Sequence, residues 1–277
     1  MKAGIRCGAY PSENWMAELK ADGYQALNEA GFASLKSSLY YLSDEEAKTQ
    51  MTQKQQALEE VGLYVNQTHG PCPTDDDTEA SRDANFAMTL RAMRNTVWVG
   101  AQDIVIHPLM PKTMEFAESP ERVLELNRAW LCRLLPYAHD MGIRLNIENM
   151  PYPELPIAHM ETLLGLVREI NDPALGVCLD TGHCTTVGDD LPAVTRLCGD
   201  KLYTTHVHDN NLKQDTHQIP FTGRINWKAF RDALVDIGFD GVVSLECNMP
   251  PNLPAAFLRD IQKLAAKSAL WLSGQID

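Results

Sequence analysis

Six short apolar runs along the chain end in an acid or a histidine. They close on Thr68-His69-Gly70, Ile106-His107-Pro108, Ile147-Glu148-Asn149, Leu179-Asp180-Thr181-Gly182-His183, His206-Val207-His208-Asp209 and Leu245-Glu246-Cys247. A single histidine at a strand end is ordinarily a hydrogen-bonded core or rim group, and a single glutamate there is ordinarily solvated. A set converging on one mouth is different. Carboxylates gathered in a low-dielectric volume lose hydration and repel one another. A divalent cation turns that cost into attraction. Mixed carboxylate and imidazole donors suit zinc, manganese, cobalt or iron better than calcium. The expected chemistry is metal-assisted.

These side chains can meet only if the runs that carry them lie side by side. Strand-like runs cover Ala3–Cys7, Tyr24–Asn28, Leu63–Thr68, Asp103–His107, Ile143–Glu148, Leu175–Asp180, Leu202–His208 and Val242–Glu246. Helix-like stretches separate most of them: Asp44–Val61, Thr78–Val99, Pro120–Met141, Met160–Ile170, Leu191–Leu197, Trp227–Ile237 and Pro254–Leu272. Ser43 with Glu46 three residues on reads as a capping box. Gly62, Gly100, Gly142 and Gly238 sit where helices hand over to strands. Strict alternation means parallel strands with helical crossovers. Eight units favour closure into a barrel, where functional groups gather at the C-terminal strand ends. The expected fold is α/β, a single-domain (β/α)8 TIM barrel over residues 1–277. No GxGxxG or GxxxxGK[ST] loop occurs, so the common nucleotide-binding alternatives lack their motifs.

The chain has 277 residues, 44% of them hydrophobic, enough for one large core. With 24 basic and 37 acidic side chains its net charge is −13. An acidic surface without a Lys/Arg run repels phosphate backbones, which disfavours nucleic-acid binding. The seven cysteines are scattered and form no CxxC, consistent with free thiols in a reducing cytoplasm. The opening MKAGIRCGAYPSENW lacks the apolar stretch of a signal peptide, and no apolar window is long enough for a membrane span. The expected location is cytoplasmic.

The strings LNIENMPYPE, GVCLDTGHC, THVHDN, GRINWKAFRDALVDIGFDG and SLEC, in that order and spacing, resemble the xylose isomerase-like TIM barrel superfamily. That superfamily includes sugar isomerases and epimerases and the endonuclease IV group. The likeness covers most of the chain and is strongest from Ile143 to Glu246. It implies a metal held by Glu148, Asp180, His206 and Glu246. His206 is taken in preference to His208 because Asp209 then stands three residues after the ligand, which leaves His208 a supporting or rim group. The ketose 3-epimerase branch implies substrate-binding roles for Glu154 and His183. Its substrate-binding arginine falls on Leu212, with Lys213 beside it as the candidate cation. The endonuclease IV branch implies up to nine ligands. One ion would take His69, His107 and Glu148; a second Glu148, Asp180, His206 and Glu246; a third His183, Asp215 and His217. The implied cofactor is a divalent metal such as zinc, manganese or cobalt, one ion in the simplest case and up to three.

Two reactions follow from these residues. The first is isomerisation or epimerisation of a sugar or sugar phosphate through an enediolate. Glu148 and Glu246 would move the proton, and His183 would polarise the carbonyl. Lys213 and Arg224 are the nearest cations for a phosphate. The second is phosphoester hydrolysis by a metal cluster, opposed for DNA by the net charge and by Asp75-Asp76-Asp77 after the third strand. The expected partner is a small carbohydrate. A homo-oligomer is expected by family analogy alone.

Overall fold

Apolar runs too short for a helix form the central sheet, and the computed structural model describes residues 1–6, 8–29, 42–75, 78–111, 119–249 and 253–277. Within them, eight strands lie in one parallel sheet. They are β1 (Lys2–Arg6), β2 (Ala26–Glu29), β3 (Tyr64–His69), β4 (Asp103–Ile106), β5 (Arg144–Glu148), β6 (Leu175–Asp180), β7 (Leu202–His206) and β8 (Val242–Leu245). Their spatial order is β8-β1-β2-β3-β4-β5-β6-β7, so chain neighbours are sheet neighbours and the two ends of the list face each other. That last seam is joined as well. Val207 N donates to Ser244 O at 2.9 Å and Glu246 N to Val207 O at 3.0 Å. The Thr205 hydroxyl donates to Val242 O and accepts from Ser244 N. The fold is the (β/α)8 barrel that the alternation predicts.

The outer layer is formed by α1 (Trp15–Ala21), α2 (Asp44–Glu60), α3 (Glu79–Trp98), α4 (Pro120–Met141), α5 (Met160–Ile170), α6 (Thr181–Thr186), α7 (Leu191–Cys198), α8 (Trp227–Asp236) and α9 (Ala255–Leu272). In α4 the buried side chains Val123, Leu126, Trp130, Leu131, Leu134, Leu135 and Ala138 recur at helical spacing, and one stripe is thereby turned to the barrel. Each is worth roughly 1.5–3 kcal/mol relative to exposure for the larger apolar ones. The helix ends where Gly142 takes φ 66°, a left-handed conformation that would strain a residue with a Cβ. Ser43 and Glu46 form the expected reciprocal cap at the start of α2.

Several boundaries differ from the sequence expectation. β7 stops at His206, two residues early, because Val207 pairs across the seam and His208 N donates to Thr181 Oγ1 instead of a ladder carbonyl. β2 begins at Ala26, not Tyr24. α1 has no counterpart among the expected helices; its seven residues bury only Leu19, too little for a periodic signal. α6 was also unexpected. Its TGHCTT sequence has no apolar period, and it forms because the Asp180 side chain accepts from His183 N and caps it. Cys7 and most of the Pro108–Ser119 loop lie outside the described residues. The other six cysteines are free thiols. No helix among the described residues is long and apolar enough to cross a membrane.

Candidate metal centre

The end of each strand from β3 to β8 delivers one of the expected groups to a single mouth. His69, Glu148, Asp180 and His206 are the last residues of β3, β5, β6 and β7. His107 and Glu246 follow directly after β4 and β8. Glu148 is the hub. Its Oε1 lies 2.9 Å from His206 Nδ1, and its Oε2 lies 3.3 Å from His69 Nε2 and 3.1 Å from His107 Nε2. His206 Nδ1 is also 3.1 Å from Glu246 Oε2, so the ring nitrogen stands between the two glutamates. Glu148, Asp180 and His206 are buried and Glu246 is half-buried, which leaves one open side.

Ligand atoms within 4.8 Å of one another form four groups among the described residues: Glu148, Asp180, His206 and Glu246; His69, His107 and Glu148; His69, His206 and Glu246; and His183, His208, Asp215 and His217. The structure thus brings together all nine side chains that the resemblance singles out. It adds His208, which the sequence reading set aside as a supporting group. Its neighbour Asp180 is bracketed by Asn149, which accepts from Asp180 N at 2.8 Å and donates to Asp180 O at 3.1 Å. Asn149 stands in the IEN string, but nothing local in the sequence marked it as a clamp.

Asp215 and His217 lie on a long loop, and buried Asp209 holds that loop. Its carboxylate accepts from the backbone N–H groups of Asn210, Gly223, Arg224 and Ile225 and from the indole N–H of Trp227. A Cβ at Gly223 would lie 2.3 Å from Asp209 Oδ1 and 2.4 Å from Asn210 O, so only glycine fits. The HxxD acid is a loop anchor, a role the spacing alone did not reveal.

Burial by itself would raise the Glu148 carboxyl, but His206, His107 and His69 reverse this and hold it well below the usual carboxylate range. Burial would likewise push His206 down; Cys178, Glu246 and Glu148 carry it well above the ordinary imidazole value. His107 goes the other way, lowered because burial outweighs Glu148. Around Asp215, burial opposes the shift again, and the partner charges raise His183 to about 10 and His217 to about 9.

The donor set fits a metal. Nδ1 of His69 donates to Gly70 O at 2.8 Å, Nδ1 of His183 to Asn149 O at 2.7 Å and Nδ1 of His217 to Glu246 O at 2.9 Å. A carbonyl oxygen can only accept, so Nδ1 carries a proton, and in the neutral ring that a metal would bind Nε2 keeps its lone pair. This orientation by a second partner is what metal-binding imidazoles show.

Three candidates stand apart from these groups. Glu154 is exposed on the loop after β5, and Lys213 and Arg224 are exposed on the loop before α8. The backbone N–H of Lys213 is spent on Asn211 Oδ1 and that of Arg224 on Asp209.

A barrel gathers its functional groups at the C-terminal mouth, and here those groups are carboxylates and imidazoles. The family model described as xylose isomerase-like TIM barrel matches residues 15–273, and the chain belongs to that family. A ketose 3-epimerase of Arthrobacter globiformis is 27% identical over 245 residues, covering 84% of this chain and 80% of the relative. An uncharacterized protein of Methanocaldococcus jannaschii is 28% identical over 216 residues, 75% of this chain and 71% of its own. Among solved structures, the IOLI protein with a binding zinc atom superposes with a TM-score of 0.80 at 17% identity, covering 99% of both chains.

Proposed function

We propose that the chain is a metal-dependent isomerase or epimerase of a small sugar or sugar phosphate, with the principal ion held by Glu148, Asp180, His206 and Glu246. The observation that carries this is the pair of glutamates flanking His206 Nδ1, one at 2.9 Å and one at 3.1 Å. Two carboxylates on different strands, facing one reaction volume, can take a proton from a carbon and return it on the other face or at the neighbouring carbon. The similarity to a ketose 3-epimerase supports the same chemistry. A divalent cation bound there supplies the Lewis acidity that makes a C–H beside a carbonyl acidic. Glu246, half-buried at the open side, is placed to receive the proton. Glu148, buried behind it and anchored by His69 and His107, is the candidate to return one, which it would first draw from a neighbouring imidazole. His183 stands beside them, its ring fixed by Asn149 O. Glu154 and Lys213 are the candidates for binding substrate hydroxyls or a phosphate from the loops. The test is solvent deuterium uptake into ketoses by the manganese- or cobalt-loaded enzyme. Deuterium appearing at the carbon beside the carbonyl supports the proposal. Its absence across phosphorylated and free ketoses counts against it.

A second reading, phosphoester hydrolysis, is favoured by one observation. His69, His107 and Glu148 form a group of their own that shares Glu148 with the principal set. His69, His107 and Glu148 would hold a further ion there, and the chemistry it would supply is activation of water. The net charge of −13 opposes DNA as substrate. Three tightly held zinc ions with cleavage of an abasic duplex would establish this reading in place of the first.

A further inference from the structure

None of the expected groups falls on β1, yet that strand ends in a cation at the mouth. Arg6 is its last residue. The register fixes which way it faces: Gly4 pairs with Ser244 and Ile5 with Leu245 of β8. Side chains alternate along a strand, so Arg6 shares the face of Gly4, and Glu246 shares that of Ser244. The two therefore lie on one face at adjoining strand ends. A hydrogen bond holds the guanidinium in place. Its Nη1 donates to Asn248 Oδ1 at 2.9 Å, and Asn248 N donates to His217 O at 2.7 Å. The amide that anchors Arg6 stands two residues after Glu246 and is tied to the backbone of His217.

Arg6 spends little of its capacity on the protein. A guanidinium keeps its charge in proteins and carries five N–H donors in a planar fork. Among the described residues Arg6 makes one hydrogen bond, to a neutral amide, and no ion pair. The carboxylates of the mouth are engaged by imidazoles instead: Glu246 by His206 at 3.1 Å, Asp180 by His208 at 3.0 Å and Asp215 by His217 at 3.2 Å. Arg6 is only half-buried, so its remaining donors are open to a solute. A ring of carboxylates in a chain of net charge −13 repels anions. An uncompensated fork on the same rim reverses that at one spot, and its geometry suits two oxygens of a phosphate or a carboxylate.

We propose that Arg6 binds the anionic end of the substrate, which is then a ketose ending in an oxyanion, phosphate or carboxylate, and not a neutral sugar. This rests on the isomerase reading above and narrows it. The carbonyl end of the sugar lies at Glu148 and Glu246 and the oxyanion at Arg6, so the ketose enters in one orientation. Asn248 is a positioning residue that aims the fork. Lys213 and Arg224 are exposed on the loop before α8, whereas Arg6 stands on a barrel strand.

The experiment compares kcat/KM for solvent deuterium uptake by the manganese-loaded enzyme into fructose, fructose 6-phosphate and fructuronate, which differ only at the terminal carbon. One of the two anionic ketoses should be preferred over fructose by roughly 10–100-fold, as a charge-assisted pair allows. Which one is preferred tells phosphate from carboxylate. Arg6→Gln should bring that ratio close to one, chiefly through KM, and Arg6→Lys should restore part of it. Asn248→Asp keeps the guanidinium but sets a carboxylate against it, so it should lower the ratio too, and it serves if Arg6→Gln does not fold. The proposal is overturned if fructose is preferred or if Arg6→Gln keeps the ratio. It is also overturned if fructose 6-phosphate releases inorganic phosphate, which makes the oxyanion the reacting end. No uptake into any of the three counts against the isomerase reading instead. The anion site is then read by isothermal titration with sorbitol, sorbitol 6-phosphate and gluconate. Tighter binding of an anionic member that Arg6→Gln abolishes upholds the site, and equal binding of all three overturns it.

Discussion

The Trp227 indole N–H donates to Asp209 Oδ2 at 2.8 Å, which ties the first turn of α8 to the residues just after β7. The loop that carries Asp215 and His217 is therefore clamped at both ends by one buried carboxylate. Asp209→Ala would strand the backbone N–H groups of Asn210, Gly223 and Ile225 and the indole, while Arg224 N–H keeps Asn210 O. The expected destabilisation is on the order of 3–5 kcal/mol, measured by urea unfolding. Gly223→Ala should destabilise in the same direction, because its new methyl meets Asp209 and Asn210 O. A loss below about 1 kcal/mol in both variants would show that the loop is held by something else.

Glu246→Gln removes the half-buried member of the proposed proton-transfer pair while keeping its shape. Solvent deuterium exchange into the ketose should fall by about 10²–10⁴-fold, with an unchanged circular dichroism spectrum. Surviving exchange would mean that the proton-transfer acid has been misplaced.

Glu148→Gln should behave differently. Glu148 meets His69, His107 and His206 at once, so its replacement should weaken metal binding as well as turnover. Loss of an outer contact to a metal ligand costs about 10–100-fold in affinity, and loss of a ligand should exceed that. Isothermal titration with manganese checks it.

Away from the mouth, His139 Nε2 donates to Asp172 at 2.9 Å, and Ala174 N donates to the same carboxylate at 2.8 Å. Burial alone would raise the Asp172 carboxyl, but His139 and Ala174 N outweigh it and leave it below its ordinary 3.8. A depressed carboxylate contributes stability that is present above the unfolded value and is lost as the pH falls through the folded one. The Tm gap between the unmodified chain and Asp172→Asn should therefore be widest near neutrality and close below about pH 4. A gap that widened in acid would contradict the assignment.

At the start of α2 the Ser43 hydroxyl accepts from Glu46 N, and the Glu46 carboxylate accepts from Ser43 N. Ser43→Ala should cost about 1 kcal/mol, read as a shift in the urea midpoint. No shift would mean that the capping box adds nothing to the helix in this context.

The alternation of apolar runs and amphipathic stretches already implied parallel strands with helical crossovers, and the count of eight units favoured their closure into a barrel. The same pattern placed His69, His107, Glu148, Asp180, His206 and Glu246 at strand ends, where a barrel collects its functional groups. Asp215 and His217 are another matter. They sit on a loop with no period, and only the resemblance pointed to them. What brings them to the mouth is long-range: the Asp209 clamp, the His217 Nδ1 bond to Glu246 O and the left-handed backbone at His217. Which group His208 joins was also undecided, since strand alternation turns it inward with His206 but does not say which carboxylate it meets. Tertiary structure decided which ligands face which. Local sequence sets the period of a strand, whereas the direction of a side chain beyond its end depends on partners far along the chain.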